Sequence, residues 1–542
     1  MKRLGYVILL FGLFYGVEGR ARVDPLVDTK VGRIKGLVAT DGDYSMFLGI
    51  PYATVDPLNP FGASIPHPVF ENTFNAFDDS GACPQREEFN NTIIGSLDCL
   101  HLNIYVPRTA SSSNQVPVLV YIHGGGFTFG SAGRFSHGPK FLVRHDVIIV
   151  VLNYRLGPYG FLCLDTPEIP GNQGFKDQLT ALRWIKENIE AFGGDSNRIT
   201  ISGESAGGVA VDFHFMYTAE KLFNNIIIQS GTGLGPFSVK DSDPDAPLRL
   251  AAHLGFATNN LDDALTYLRT VDTELIIAAT EATGILTSPC VEKEFENVER
   301  FITAHPIQAN IPNAKSVSIL IGFNNNELGG SYEYFTPEGF TNLKPFSSLG
   351  DFFNFDSEYS ADMETLVRQF YIGDEDVNIA VKQQIADFSS DFTFYHPTHR
   401  SIQKYFENEA RSIYYYVFSY EGDRNSVTRR SNLTNVSGAL HADEITYLFD
   451  LALFDETPTP EDQLMIDRMT TMWTNFVKSS NPTPELTDTL PVQWPTVAND
   501  NVYYLNIDSE LSVRQNPFHD RMAFWDLFFV LNESYLKVNN NN

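Results

Sequence analysis

The sequence predicts an open α/β fold built on a large, mostly parallel central sheet flanked by helices, and three observations predict it. Short runs of β-branched and aromatic residues recur along the chain, each leading into a turn marked by glycine or polar residues. These runs show little polar alternation, as expected of strands buried on both faces. Helical periodicity fills the intervals between them, and strand, helix, strand in succession requires parallel crossovers. In order, residues 118–122 precede His123-Gly124-Gly125-Gly126, 147–152 precede Asn153-Tyr154-Arg155, and 199–202 precede Gly203-Glu204-Ser205. Residues 226–229 then lead into Ser230-Gly231, 317–321 into Gly322-Phe323, and 413–418 into Ser419. Across 177–192, Leu179, Leu182, Ile185, Ile189 and Phe192 fall at helical spacing before Gly193-Gly194 stops the helix. Residues 206–217 read as another helix, and 31–38 and 45–52 as antiparallel edge strands. The 542-residue length alone would suggest three or four units. No internal repeat or long linker divides the chain, so residues 20–542 read as one domain with long insertions.

Composition narrows the function. At 43% hydrophobic and 19% charged, with 42 Phe and 24 Tyr, the chain can bury a large core, which excludes disorder, collagen and coiled coil. A formal charge of -29 repels phosphate backbones, so nucleic acid and anionic membrane are poor partners. Residues 1–19 read as an export signal: Lys2 and Arg3 precede an apolar run too short to span a membrane comfortably, and Gly19 offers a small residue for cleavage. No other run reaches membrane length, and 524–530 is too short for a lipid-anchor tail. The mature protein is therefore expected to be soluble and secreted. Cys83, Cys99, Cys163 and Cys290 allow three full connectivities. Pairing Cys83 with Cys99 would close a short loop and contribute about 3 kcal/mol by chain entropy, while Cys163 and Cys290 read equally as buried thiols. Asn90, Asn432, Asn435 and Asn532 each stand in an N-x-S/T sequon, which in an exported chain predicts glycosylation.

Gly203-Glu204-Ser205-Ala206-Gly207 is a G-x-S-x-G pentapeptide, a weak signal alone. Its context strengthens it, because a strand runs in and a helix runs out, the setting in which flanking glycines lift a serine hydroxyl clear of a sheet. A serine hydroxyl at its free pKa needs a base, and the base needs an orienting acid. In chain order these partners follow the serine. Glu327 follows the 317–321 run and His441, one of 12 histidines, follows the 413–418 run. The triple glycine at 124–126 lets backbone approach a reacting carbonyl closely, and the amides of Gly125, Gly126 and Ala206 are the expected oxyanion donors. Each such donor is worth about 2.7–4 kcal/mol in the transition state. The loop lacks phosphate-cradle spacing, and the chain has no C-x-x-C or H-E-x-x-H, so no cofactor or metal is expected.

His123-Gly124-Gly125-Gly126-Phe127, Asn153-Tyr154-Arg155-Leu156-Gly157, Lys176-Asp177-Gln178, Ala191-Phe192-Gly193-Gly194-Asp195, residues 203–208 and Leu48-Gly49-Ile50-Pro51-Tyr52-Ala53 together resemble type-B carboxylesterases. The resemblance runs from about residue 25 to the region of Trp525 and is closest to secreted insect esterases, antennal and gut enzymes among them. It implies the α/β-hydrolase fold, a Ser205–Glu327–His441 triad and a Cys83–Cys99 bridge. The implied activity is hydrolysis of carboxylic esters, small to medium apolar ones, through an acyl-enzyme.

Departures from the family pattern bear on substrate. Residues 84–98 contain no tryptophan, where cholinesterases place the seat for a quaternary ammonium. Juvenile hormone esterases usually carry Gln where Glu204 stands. The acid lies in Asn326-Glu327-Leu328 rather than Asp-Glu-Gly, and before Cys99 the family's usual Ser-Glu-Asp is Ser96-Leu97-Asp98, with Leu97 in place of the glutamate. Its usual arginine partner is also absent around Asn59-Pro60-Phe61; losing both strands no buried charge. Phe127 and Phe129 are expected either to shape an apolar pocket or to pack in the core. A juvenile hormone esterase-like enzyme is the alternative within the class. Lipase action on aggregated fat also fits the motifs, and outside the class stand an ester-sequestering protein and a non-catalytic adhesion relative. Chain-length preference and oligomeric state are not encoded in these motifs.

Overall fold

The computed structural model describes residues 25–88, 90–430, 436–454, 456–498 and 501–538. Residues 1–19, Asn432 and Asn435 lie outside the described residues. An 11-stranded sheet organises the chain. Its strands are β1 (Leu37–Val38), β2 (Tyr44–Pro51), β3 (His101–Pro107), β4 (Val116–Ile122), β5 (Ile148–Leu152), β6 (Gly194–Glu204), β7 (Asn225–Gln229), β8 (Ser318–Asn324), β9 (Ser412–Phe418), β10 (Tyr503–Ile507) and β11 (Ser512–Gln515). Their order is β11-β10-β9-β8-β7-β6-β4-β5-β3-β2-β1. From β5 through β10 every neighbouring pair is parallel. Antiparallel pairs close both ends.

The inner strands are buried on both faces, which is why they read as continuous apolar runs. In β4, Val118, Val120 and Ile122 join one core cluster, while Leu119 and Tyr121 join another on the opposite face. Helices α1 (Gln173–Asn188) and α2 (Ala206–Tyr217) supply the first cluster with Leu182, Ile185, Phe213 and Phe215. Helix α4 (Pro460–Ser479) buries Met465, Met469, Trp473 and Phe476 in the second. Its first turn is capped by Thr459, whose hydroxyl accepts from the Asp462 amide. Two further helices matter below: α3 (Ser357–Ile372) and α5 (His519–Leu531).

Two local expectations are corrected. The helical pattern over 177–192 is α-helix from Gln173 to Asn188, then a tighter turn over Ile189–Phe192 ended by Gly193 at φ +81. The segment 31–38 is not one edge strand. Gly32–Lys35 forms a small separate sheet with Leu26–Thr29 and Phe74–Asn75, and only β1 joins the large sheet.

Both disulfides form: Cys83–Cys99 and Cys163–Cys290. Cys163 and Cys290 are thus paired rather than free thiols. No helix among the described residues is long and apolar enough to cross a membrane.

Candidate active site

The carboxyl ends of β4, β6, β8 and β9 open toward one side of the sheet, the place where open α/β sheets hold ligands. Ser205 sits between β6 and α2 at φ 57, ψ -125, a backbone conformation that only a tightly determined turn sustains. Close packing requires glycine beside it, because a Cβ on Gly207 would stand 2.1 Å from the Ile122 carbonyl oxygen. The Ser205 amide donates to the Gln229 carbonyl, 2.9 Å away, fixing the turn to β7.

His441 arrives from the long segment after β9 and Glu327 from the loop after β8. The structure brings both to Ser205. His441 Nε2 lies 2.9 Å from Ser205 Oγ, and Nδ1 lies 2.6 Å from Glu327 Oε2. A carboxylate only accepts, so Nδ1 carries the proton and Nε2 is left to accept from the serine hydroxyl. The backbone repeats the pairing, the His441 amide donating to the Glu327 carbonyl at 3.0 Å. Ser230 Oγ and the Asn324 amide donate to the other Glu327 oxygen at 2.6 and 2.7 Å. A hydroxyl, imidazole and carboxylate so linked can pass the hydroxyl proton to nitrogen as the oxygen attacks an electrophile.

Glu204 Oε1 stands 3.3 Å from His441 Nε2, in ion-pair reach but out of hydrogen-bond alignment. Burial pushes its carboxyl up to about 8, against the opposing pull of His441. Burial would lower the His441 imidazole, but Glu204, Glu327 and Glu444 outweigh it and push it up to about 10. The Glu204 charge is one of those that raise the imidazole, so a neutral Glu204 leaves His441 less basic. Glu444 lies behind them, accepting from Gln229 Nε2 at 3.0 Å and Asn324 Nδ2 at 2.7 Å.

The loop after β4 faces Ser205. Gly125 adopts φ +101, and a Cβ there would stand 2.1 Å from the Phe129 carbonyl oxygen, so only glycine fits. Tyr154 Oη donates to the His123 carbonyl at 2.9 Å and its ring stacks on the imidazole at 4.6 Å. Burial holds His123 down to about 4, so it is neutral and adds no charge to the site. Gly125 and Gly126 line the cleft, and Ala206 opens α2, where an amide has no partner within the helix.

The cleft above Ser205 has a volume of about 1030 Å³. Phe129, Leu328, Ile445, Leu451 and Leu453 give it apolar walls. Phe127 does not join them; it is buried against Phe161 and Phe175 and belongs to the core. Asn90 is exposed, with its Oδ1 accepting from the Thr92 amide and hydroxyl. The Asn532 sequon is corrected: the residue is 1% exposed and its Nδ2 donates to the Phe528 carbonyl, leaving no room for a glycan on that nitrogen. Among the described residues no cluster of His, Cys, Asp and Glu could hold a metal ion.

Sequence reasoning did not assign Ser230, Glu444, Phe394 or Tyr395 to this neighbourhood. Phe394 packs its ring 4.8 Å from that of His441. Ser230 closes the turn after β7 and Glu444 follows His441 by three positions, and those placements were the available signals.

Fold, site and sequence define the class. Residues 23–525 match the carboxylesterase family, and the chain belongs to it. Its architecture is the α/β-hydrolase fold. Among characterised proteins it is similar to "Juvenile hormone esterase" of Heliothis virescens, 31% identical across 92% of this chain and 93% of that one. It is also similar to "Esterase FE4" of Myzus persicae, 30% identical across 90% of each. A crystal structure of juvenile hormone esterase from Manduca sexta, with OTFP covalently attached, superposes with a TM-score of 0.79 at 28% identity. That match covers 94% of this chain and 99% of the other. Membership supports carboxylic ester hydrolysis and small-molecule ester substrates.

Proposed function

We propose that this chain is a secreted serine carboxylesterase, one catalytic domain following a cleaved signal over residues 1–19. It hydrolyses small to medium apolar esters through an acyl-enzyme. The observation that carries the reading is the continuous chain from Glu327 Oε2 through His441 to Ser205 Oγ. His441 takes the Ser205 proton as the oxygen attacks the ester carbonyl, and Glu327 stabilises the imidazolium. The oxyanion rests on the amides of Gly125, Gly126 and Ala206. On collapse, His441 returns the proton to the departing alcohol, leaving Ser205 acylated. Water attacks the acyl-enzyme by the same route and releases the acid. The apolar cleft walls favour uncharged substrates. Export is supported by the leader pattern, the two disulfides and the exposed Asn90 sequon; Asn432 and Asn435 are further candidate glycan sites.

Similarity to two juvenile hormone esterases favours a second reading, hydrolysis of a hormone methyl ester. Glu204, at a place where those enzymes usually carry Gln, weighs toward general esters. Comparing such a methyl ester with aliphatic acetates separates the two. Ser205→Ala is expected to lower turnover of a chromogenic short-chain ester by at least about 10³-fold. Undiminished turnover removes the serine mechanism. A stoichiometric burst of alcohol from the unsubstituted protein with negligible steady-state rate would favour sequestration.

A further inference from the structure

The support of the Glu327 loop comes from an unexpected place. Residues Asp391–Tyr395 form one turn of π-helix between two α-helical segments, Lys382–Ser390 and His396–Glu407. Such turns insert an extra residue and re-aim side chains, and they concentrate at functional sites. Here the turn directs two successive side chains at the site. Phe394 meets the His441 ring, and Tyr395 reaches the loop between β8 and Glu327. The Tyr395 hydroxyl accepts from the Glu327 amide at 3.2 Å and donates to the Asn324 carbonyl at 2.9 Å. It therefore clamps both ends of the four-residue turn that aims the carboxylate at His441. The ring is held in turn, at 4.2 Å from Phe323 and stacked at 4.7 Å on Phe518.

The turn is anchored from outside. Asp391, fully buried, accepts from Tyr371 Oη at 2.5 Å and faces Arg521 Nε at 3.2 Å. Trp525 Nε1 donates to Tyr371 at 2.8 Å. Helices α3 and α5 thus tie the π-turn down, and the turn in turn holds the acid loop. We infer that Tyr395 is a positioning residue for ester hydrolysis, its hydroxyl holding Glu327 at the distance at which it orients and charges His441. The inference rests on the reading of Glu327 as the acid. It adds a residue that does not line the cleft.

The charged groups around this path are Glu327, Asp391 and Arg521 facing Tyr395, and Glu204, Glu327 and Glu444 facing His441. Tyr395→Phe keeps the ring packing and removes only the hydroxyl, which leaves the Glu327 amide and the Asn324 carbonyl without it. Freed of the clamp, Glu327 drifts from His441, the imidazolium loses support, and the imidazole pKa falls. In the intact enzyme, kcat per site titrated with a covalent serine inhibitor is expected to fall about tenfold, the effect of losing one hydrogen bond that matters in the transition state. KM is expected to hold, and the acid limb of kcat/KM to move to lower pH. The loss should vanish when Tyr395→Phe is added to Glu327→Gln. Arg521→Gln, which loosens the turn and leaves the hydroxyl in place, should move the limb in the same direction by less. A Tyr395→Phe enzyme with unchanged kcat per titrated site and an unmoved limb overturns the positioning role, whatever its melting temperature. Full activity in Glu327→Gln alone overturns the acid assignment first, and this role with it.

Discussion

Glu204 precedes Ser205 in the chain and stands 3.3 Å from His441, so it sets the charge in which the base works. The imidazole acts only when neutral, and activity is lost as pH falls through its pKa. Glu204 is among the carboxylates that raise that pKa. Glu204→Gln removes the charge and keeps the shape. The acid limb of kcat/KM is expected to move down by about one pH unit, read from a pH–rate profile in buffers of constant ionic strength. A limb that stays in place would show that Glu204 carries its proton throughout. At this scale the serine was legible from its pentapeptide, and Glu327 and His441 from chain order and family resemblance. Tyr395 was not, because a tyrosine that touches the site by folding across 68 positions leaves no local pattern in the sequence.

Among the elements, the segment after β5 shows how a motif serves the site without touching substrate. Asn153 Oδ1 accepts from the Ala132 amide, Tyr154 holds the His123 carbonyl, and Arg155 is fully buried. Arg155 makes a two-point contact with Asp177 on α1, Nε to Oδ2 and Nη2 to Oδ1, both at 2.7 Å. Its remaining nitrogen donates to the carbonyls of Pro60 and Gly62. Removing one partner strands a buried charge, so Asp177→Asn is expected to lower unfolding stability by about 3–5 kcal/mol in urea titrations. Replacing Arg155 and Asp177 together by apolar residues of similar volume should recover much of that loss. The inner strands were legible because burial on both faces leaves continuous apolar runs. Strand β3 was missed: its Asn103 interrupts the run, yet it is satisfied inside by the Gly49 amide and the Ala132 carbonyl.

Across the whole molecule, the Cys163–Cys290 bridge spans a sequence separation of 127. It ties the segment before α1 to the region beyond the helices that follow β7. By chain entropy a loop of that length is worth about 5 kcal/mol. Replacing both cysteines by alanine should lower the denaturation midpoint sharply and leave kcat per titrated site nearly unchanged, since neither cysteine lines the cleft above Ser205. An unchanged midpoint would mean that packing alone holds these segments together.

Buried strands, glycine turns and the serine pentapeptide were fixed by local chemistry, since β-branched runs, positive φ angles and flanking glycines each impose their own conformation. That Ser230 bonds Glu327, that Cys163 pairs with Cys290, that Asn532 is buried, and that a π-turn supports the acid loop were decided only in three dimensions. Each of these depends on contact between segments far apart in the chain. Local propensity carries no record of such contacts; packing the sheet and its helices creates them.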